Sequence, residues 1–170
     1  MPERPVLDPS GLLRALVQKD VRFVVIGGVA GTLHGSTTLT GDLDILFDRD
    51  PSNVDRLATV LMELHAVRRD LPAGVKAPID ARALRSATNF LLSTDLGDLD
   101  CIGETPSGGF TFEQIAPTAE RMRIGKELVV SVAALDELIR MKRATGRAKD
   151  RIEVETLAGL RTERERRVRP

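Results

Sequence analysis

Four aspartates in this chain fall in two pairs with one apolar residue inside each, Asp42-Leu43-Asp44 and Asp98-Leu99-Asp100. In a β-strand the side chains alternate, so both acids of a pair share one face and the apolar residue takes the other. Asp42-Leu43-Asp44-Ile45-Leu46-Phe47 begins with that alternation and ends fully apolar, the pattern of a strand whose mouth is acidic and whose body is buried. Two carboxylates about 4 Å apart repel by roughly 1 kcal/mol in water and about 4 kcal/mol at an intermediate dielectric. A cation relieves that repulsion. Mg²⁺ suits the task, because it takes one or two carboxylates and keeps positions open for phosphate oxygens. The same spacing also occurs at the solvated mouth of an ordinary strand, so one pair alone leaves both readings open.

A second feature precedes the first pair. Val21, Phe23, Val24, Val25 and Ile26 make a β-branched and aromatic run of strand length, and Gly27-Gly28 ends it. Glycines permit a sharp turn and let an anionic group come close to backbone N–H groups. Val29–His34 then reads as a short helix pointing its N-terminus the same way. If the two acidic strands are neighbours, three or four carboxylates converge beside this turn. That geometry suits two-metal phosphoryl or nucleotidyl transfer.

The elements that must position these groups follow along the chain. Residues 1–10, with Pro2, Pro5 and Pro9, should run extended. Asp8 or Ser10 can cap a helix with Leu12, Leu13, Leu16 and Val17 on one stripe. Asp50-Pro51-Ser52 is a helix start, continued by Val54, Leu57, Leu61 and Leu64. Residues 66–78 read as loop with a short edge strand, and Asp80–Ser86 as a helical turn or two. Asn89–Ile102 forms a hairpin turning at Asp95-Leu96-Gly97, which puts Asp98 and Asp100 on its return strand. Phe112–Ile115 is a short helix, Arg121–Ile124 and Leu128–Val132 are strands, and Ala134–Thr145 is a helix stopped by Gly146. Arg147–Leu160 forms another helix. The final RTERERRVRP reads as a frayed solvated end, with an RNA-binding tail as the sharper alternative.

Composition narrows the classes. Among 170 residues, 25 Lys+Arg balance 25 Asp+Glu, so no global field points to nucleic acid or membrane. Aromatic content is 3%, all of it Phe, which argues against recognition by base stacking. Cys101 is alone, which leaves no disulfide framework or cysteine-rich zinc site; it reads as a small buried apolar group. His34 reads as a structural histidine and His65 as a surface residue at a helix end. With only those two histidines, a histidine-rich phosphohydrolase centre is disfavoured. The opening residues carry no apolar signal, and no apolar run reaches membrane-spanning length, so a cytoplasmic protein is expected.

On Gly27-Gly28, Asp42-Leu43-Asp44 and Asp100, the sequence resembles the nucleotidyltransferase superfamily with the DNA polymerase β-like fold. More narrowly it is similar to small bacterial nucleotidyltransferases of the abortive-infection and toxin–antitoxin group. The segments that carry this are GGVAGTLHGSTTLTGDLDI, FLLSTDLGDLDCIG and LDELIRMKRATGRAKD, so the likeness runs from about Val21 to about Leu160. It implies an α/β (α+β) fold, a mixed sheet flanked by helices with C-terminal helices packed on it. One domain over 1–170 is implied, with a core of about 8–133 and a helical segment of about 134–168. The implied activity transfers a nucleoside monophosphate from an NTP such as ATP to an acceptor hydroxyl, on RNA, protein or a small molecule, with release of pyrophosphate.

Carried over residue by residue, Asp42, Asp44 and Asp100 would bind two Mg²⁺ ions, Asp100 helping to activate the acceptor. Gly27, Gly28, Thr38 and Thr40 would contact the nucleotide. Lys142, Arg147 and Lys149 fall where such proteins place phosphate-reaching cations; a solvated basic helix face is the plainer reading of the three. Asp150 is expected to pair with a cation or cap a helix. An antitoxin-like protein partner is a further implication. Two departures stand out: relatives commonly carry arginine where this chain has Thr38, and serine where it has Val29. They keep alive a catalytically weak nucleotide-binding or partner-binding protein on the same fold.

Overall fold

Strand register decides whether the acids meet. In the computed structural model, which describes residues 5–72, 74, 75 and 77–168, strand β2 (Asp42–Phe47) lies parallel to strand β5 (Gly97–Ile102). Their partners are Asp42↔Asp98, Leu43↔Leu99 and Asp44↔Asp100. Cross-strand partners share a face, so all four aspartates project from one side of the sheet while Leu43 and Leu99 are buried on the other. Residues 1–4 of the expected extended start, Pro2 among them, lie outside the described residues, as do 73 and 76 in the expected loop and 169–170 at the end.

Among the described residues the sheet has seven strands. Beside β2 and β5 these are β1 (Phe23–Ile26), β3 (Val67–Arg68), β4 (Asn89–Thr94), β6 (Glu120–Ile124) and β7 (Leu128–Val132). Their order is β3-β4-β5-β2-β1-β7-β6; β2–β5 and β1–β7 are parallel pairs and the rest antiparallel, which makes the sheet mixed. β1 and β2 are buried through most of their length, which explains why both read as near-continuous apolar runs.

Seven α-helices flank the described sheet. They are α1 (Pro9–Gln18), α2 (Gly27–Leu33), α3 (Pro51–Glu63), α4 (Ala81–Ser86), α5 (Phe112–Ile115), α6 (Leu135–Thr145) and α7 (Ala148–Val168). The start signals work as their chemistry requires. Asp8 accepts from Gly11 N at 2.9 Å, Asp50 from Ser52 N at 3.0 Å and Asp80 from Ala83 N at 2.8 Å, each satisfying an otherwise unpaired N–H of the first turn. Leu12, Leu13 and Leu16 of α1, and Val54, Leu57, Val60 and Leu61 of α3, join one apolar core with the sheet. Asn53 is wholly buried and fixes the start of α3 to the sheet, accepting from Arg22 N and donating to the carbonyls of Arg22 and Asp48.

One expectation is corrected. The RTERERR run does not fray, because α7 continues to Val168. Arg167 pairs with Glu163 one turn back, Arg161 with Asp136 of α6, and Arg164 with Glu120 of β6. Exposed ion pairs of this kind contribute only tenths of a kcal/mol each, but here they are spread along the helix and across to its neighbours. No described helix is long and apolar enough to cross a membrane.

Candidate active site

The site begins where β1 runs out. Gly27 takes a left-handed backbone, φ 66°, as α2 starts. A Cβ there would lie 2.1 Å from Oδ2 of Asp44, and one on Gly28 would lie 2.6 Å from Cβ of Thr40. Both glycines therefore let β2 and its preceding loop close against the turn. The anion that comes closest to Gly27 is this chain's own Asp44.

Asp42, Asp44 and Asp100 each bring a carboxylate oxygen to within 4.8 Å of the other two. Thr40 fixes the first of them, its Oγ1 donating to Oδ1 of Asp42 at 3.1 Å. Asp98, the fourth acid, accepts from Ser93 Oγ at 2.6 Å on the neighbouring strand. Burial and the charges of Asp42 and Asp100 push Asp44 up to about 7. Burial likewise raises Asp100 to about 6, against the pull of Arg69. Such shifts arise chiefly because burial disfavours the charged carboxylates, with repulsion between them adding to it.

The cation that is present was not among the sequence candidates. Arg69 donates from Nη2 to Oδ1 of Asp100 at 2.5 Å and lies 3.6 Å from both Asp42 and Asp98. It follows β3, where its N–H bonds to Leu91 O at 3.0 Å. Arg68 is engaged elsewhere, paired with Asp70 and 5.0 Å from the centre of the Phe90 ring. A strand's alternation separates two adjacent arginines in this way.

Facing the acids are the cations of the C-terminal helices. Gly146, at φ 66°, ends α6 and lets α7 begin at once. Lys142 of α6 donates to Glu153 at 2.5 Å and lies 3.6 Å from Asp150. Arg147 donates to Asp150 at 2.7 Å, and Thr145 Oγ1 donates to the same carboxylate. Asp150 is only 1% exposed. Burial opposes its charge, but the hydrogen bonds from Thr145 and Arg147 and the charge of Lys142 hold its carboxyl below the ordinary value. Asp150 is thus a partner of cations, as its sequence position suggested, and Glu153 joins it in that work.

A cavity of about 290 Å³ lies between these two groups. Gly28, Thr38, Thr40 and the three clustered acids line it together with Lys142, Arg147 and Lys149. A second cavity of about 330 Å³ adjoins it across Asp44 and Lys142, with Gly27, Ile26, Ile102, Leu138 and Met141 in its walls. All ten residues singled out in the sequence therefore border one of these two spaces. A larger cavity of about 760 Å³, near Arg22, Phe112 and Arg121, contains none of them.

The remaining polar residues are structural. Burial lowers the pKa of His34, whose Nε2 donates to Ala133 O at 2.8 Å. His65 lies past the end of α3, exposed, and pairs with Asp95 at 2.6 Å. Cys101 is fully buried among apolar neighbours, which pushes its thiol pKa up.

No protein-family model matches the sequence, and no curated protein matches it. Solved structures do match. The antibiotic-resistance factor ANT(2'')-Ia in solution is 15% identical, with 93% of this chain and 89% of that one covered, at a TM-score of 0.55. ANT(2'')-Ia crystallised with adenylyl-2''-tobramycin gives 15%, 93%, 95% and 0.53 for the same measures. A Thermotoga maritima protein assigned as a nucleotidyltransferase gives 15%, 96%, 99% and 0.54. At this identity the likeness establishes a shared fold, over nearly the full length of each chain.

Proposed function

We propose that this chain is a metal-dependent nucleotidyltransferase, moving a nucleoside monophosphate from an NTP to an acceptor hydroxyl with release of pyrophosphate. One observation carries the reading: Asp42, Asp44 and Asp100, from two distant segments, converge within 4.8 Å and line one cavity together with Lys142, Arg147 and Lys149.

The donor set fits Mg²⁺. It offers hard carboxylate oxygens and no sulfur or imidazole, and a cation would offset the burial and mutual repulsion that raise Asp44 and Asp100. Asp42, Asp44 and Asp100 would hold two such ions, which when bound supply charge neutralisation at the attacking and leaving oxygens. The protein's own groups do the rest. Lys142, Arg147 and Lys149 offset the charge of the triphosphate and of departing pyrophosphate. Asp150 and Glu153 hold Lys142 and Arg147 in place, so little ordering remains to be done when phosphate arrives. Thr38 and Thr40 offer hydroxyls to phosphate oxygens, and the Gly27-Gly28 turn, closed against Asp44 and Thr40, borders the space the nucleotide would occupy. On this reading Asp100 helps to activate the acceptor hydroxyl.

The acceptor is a hydroxyl of RNA, protein or a small molecule. The fold shared with a protein crystallised with adenylyl-2''-tobramycin supports the small-molecule arm. A cytoplasmic setting, and a toxin–antitoxin role with an antitoxin-like partner, extend the sequence resemblance. A second reading, weak catalysis on a nucleotide-binding or partner-binding protein, is favoured by Thr38 in the usual arginine position and by Arg69 occupying oxygens of the acid cluster.

Incubation with each α-labelled NTP, Mg²⁺ and pools of RNA, protein or small polyols and aminoglycosides separates the two. Label transfer that disappears in Asp44→Ala supports the enzyme. Nucleotide binding without transfer to any acceptor supports the second reading.

A further inference from the structure

Arg69 is placed like a cation that has taken a metal's seat. Its guanidinium lies 2.5 Å from Asp100 and 3.6 Å from Asp42 and Asp98, within ion-pair distance of three of the four acids. Asp42, Asp44 and Asp100 all line the cavity of about 290 Å³, so the carboxylates that Arg69 holds are also reached from that side.

The seat is also an imperfect one for an arginine. Nε of Arg69 is buried and makes no hydrogen bond among the described residues, and Asp98 Oδ2 lies 3.6 Å from it, at ion-pair but not hydrogen-bond distance. A buried donor held without a hydrogen bond weakens the case for a permanent structural bridge. The backbone at Arg69 is fixed by its bond to Leu91 O, but the side chain keeps 24% of its surface in solvent, so it can swing outward without moving the sheet.

We propose that Arg69 is an exchangeable internal counter-ion. It neutralises Asp42, Asp98 and Asp100 in the metal-free protein, and it must swing away for a divalent ion to draw on the carboxylates of Asp42 and Asp100. Divalent-ion binding is therefore opposed in this chain by its own side chain. This inference rests on the reading of the acids as metal ligands and adds a control on how the site fills.

The test is Mn²⁺ binding followed by the electron paramagnetic resonance of free Mn²⁺, without nucleotide turnover. Wild type, Arg69→Ala, Arg69→Gln and Arg69→Lys are compared, with Asp44→Asn as the site control. Arg69→Gln keeps hydrogen bonding without charge, and serves if Arg69→Ala does not fold. Removing the arginine charge should tighten Mn²⁺ binding by about tenfold or more, since a competing cation is gone. Arg69→Lys should stay near wild type. In thermal melts the charge-removing variants should be less stable than wild type in EDTA and gain more from Mn²⁺. Equal Mn²⁺ affinities in wild type and the charge-removing variants, with binding lost in Asp44→Asn, overturn the exchange but leave the metal site standing. Weaker binding in those variants makes Arg69 a support of the site and also overturns the exchange. No Mn²⁺ binding in any form removes the metal reading and this inference with it.

Discussion

Asp44→Asn should make the metal-free protein more stable, although it removes an acid central to the proposed chemistry. In the folded chain Asp44 is raised from 3.8 to about 7, by burial first and then by Asp42 and Asp100. At about 1.4 kcal/mol per pKa unit, ionising it in place costs about 4 kcal/mol relative to the unfolded chain. Partial access to solvent and coupling to Asp100 reduce what one substitution can recover, so about 2–4 kcal/mol is the expected gain at pH 8 in EDTA. The sign follows from the direction of the shift. A raised folded pKa means the protonated form is favoured in the native state, so that share of stability is present below about pH 4 and lost as pH rises through 7. Asparagine never ionises and escapes the loss. Urea unfolding of both proteins at pH 4.5 and pH 8, with EDTA and then with Mg²⁺, measures it. The gain should be small at pH 4.5, large at pH 8, and reduced or reversed by Mg²⁺, which relieves the same repulsion in wild type. Asp44→Asn no more stable than wild type at pH 8 in EDTA, or a difference independent of pH, would refute the reasoning.

Three further outcomes follow from single contacts. Gly27→Ala should destabilise the fold by about 1–3 kcal/mol in urea melts and weaken Mn²⁺ binding, because its Cβ falls 2.1 Å from Asp44 Oδ2 on a left-handed backbone. Asp150→Asn should cost about 1–3 kcal/mol at neutral pH and raise the KM for NTP, since Arg147 and Lys142 lose a buried partner. Its folded pKa lies below the ordinary value, so this cost should shrink in melts taken as pH falls through that pKa. Cys101 is wholly buried, so a thiol reagent should leave the native protein unlabelled and react at the rate of unfolding, a time course that added urea should shorten.

Features written in local chemistry were legible in the sequence. The caps at Asp8 and Asp50-Pro51, the stop at Gly146 and the shared face of Asp42 and Asp44 each depend on residues within a few positions. The meeting of Asp44 with Asp100 could be framed only as a condition, since parallel pairing of β2 with β5 is a choice of topology that no local pattern encodes. Arg69 was not legible. It reaches Asp100 from 31 residues away, at the end of a two-residue edge strand with no periodicity to announce it. The available signal was indirect: four acids gathered on one face require a cation. The glycine pair was recognised by type, but the space it clears is filled by Asp44 and Thr40. The end of α7 was set too early because apolar spacing stops near Leu160, while Arg161, Arg164 and Arg167 carry the helix onward by ion pairs that hydrophobic periodicity does not register.

The claim on which the rest depends is that carboxylates from β2 and β5 share divalent ions beside the nucleotide cavity. Anomalous scattering from crystals grown with Mn²⁺ and a non-hydrolysable NTP tests it most directly. Mn²⁺ peaks should appear beside Asp42, Asp44 and Asp100, with the triphosphate reaching towards Lys142, Arg147 and Lys149. Nucleotide bound with no Mn²⁺ at those acids, or Mn²⁺ held only elsewhere on the surface, would contradict it.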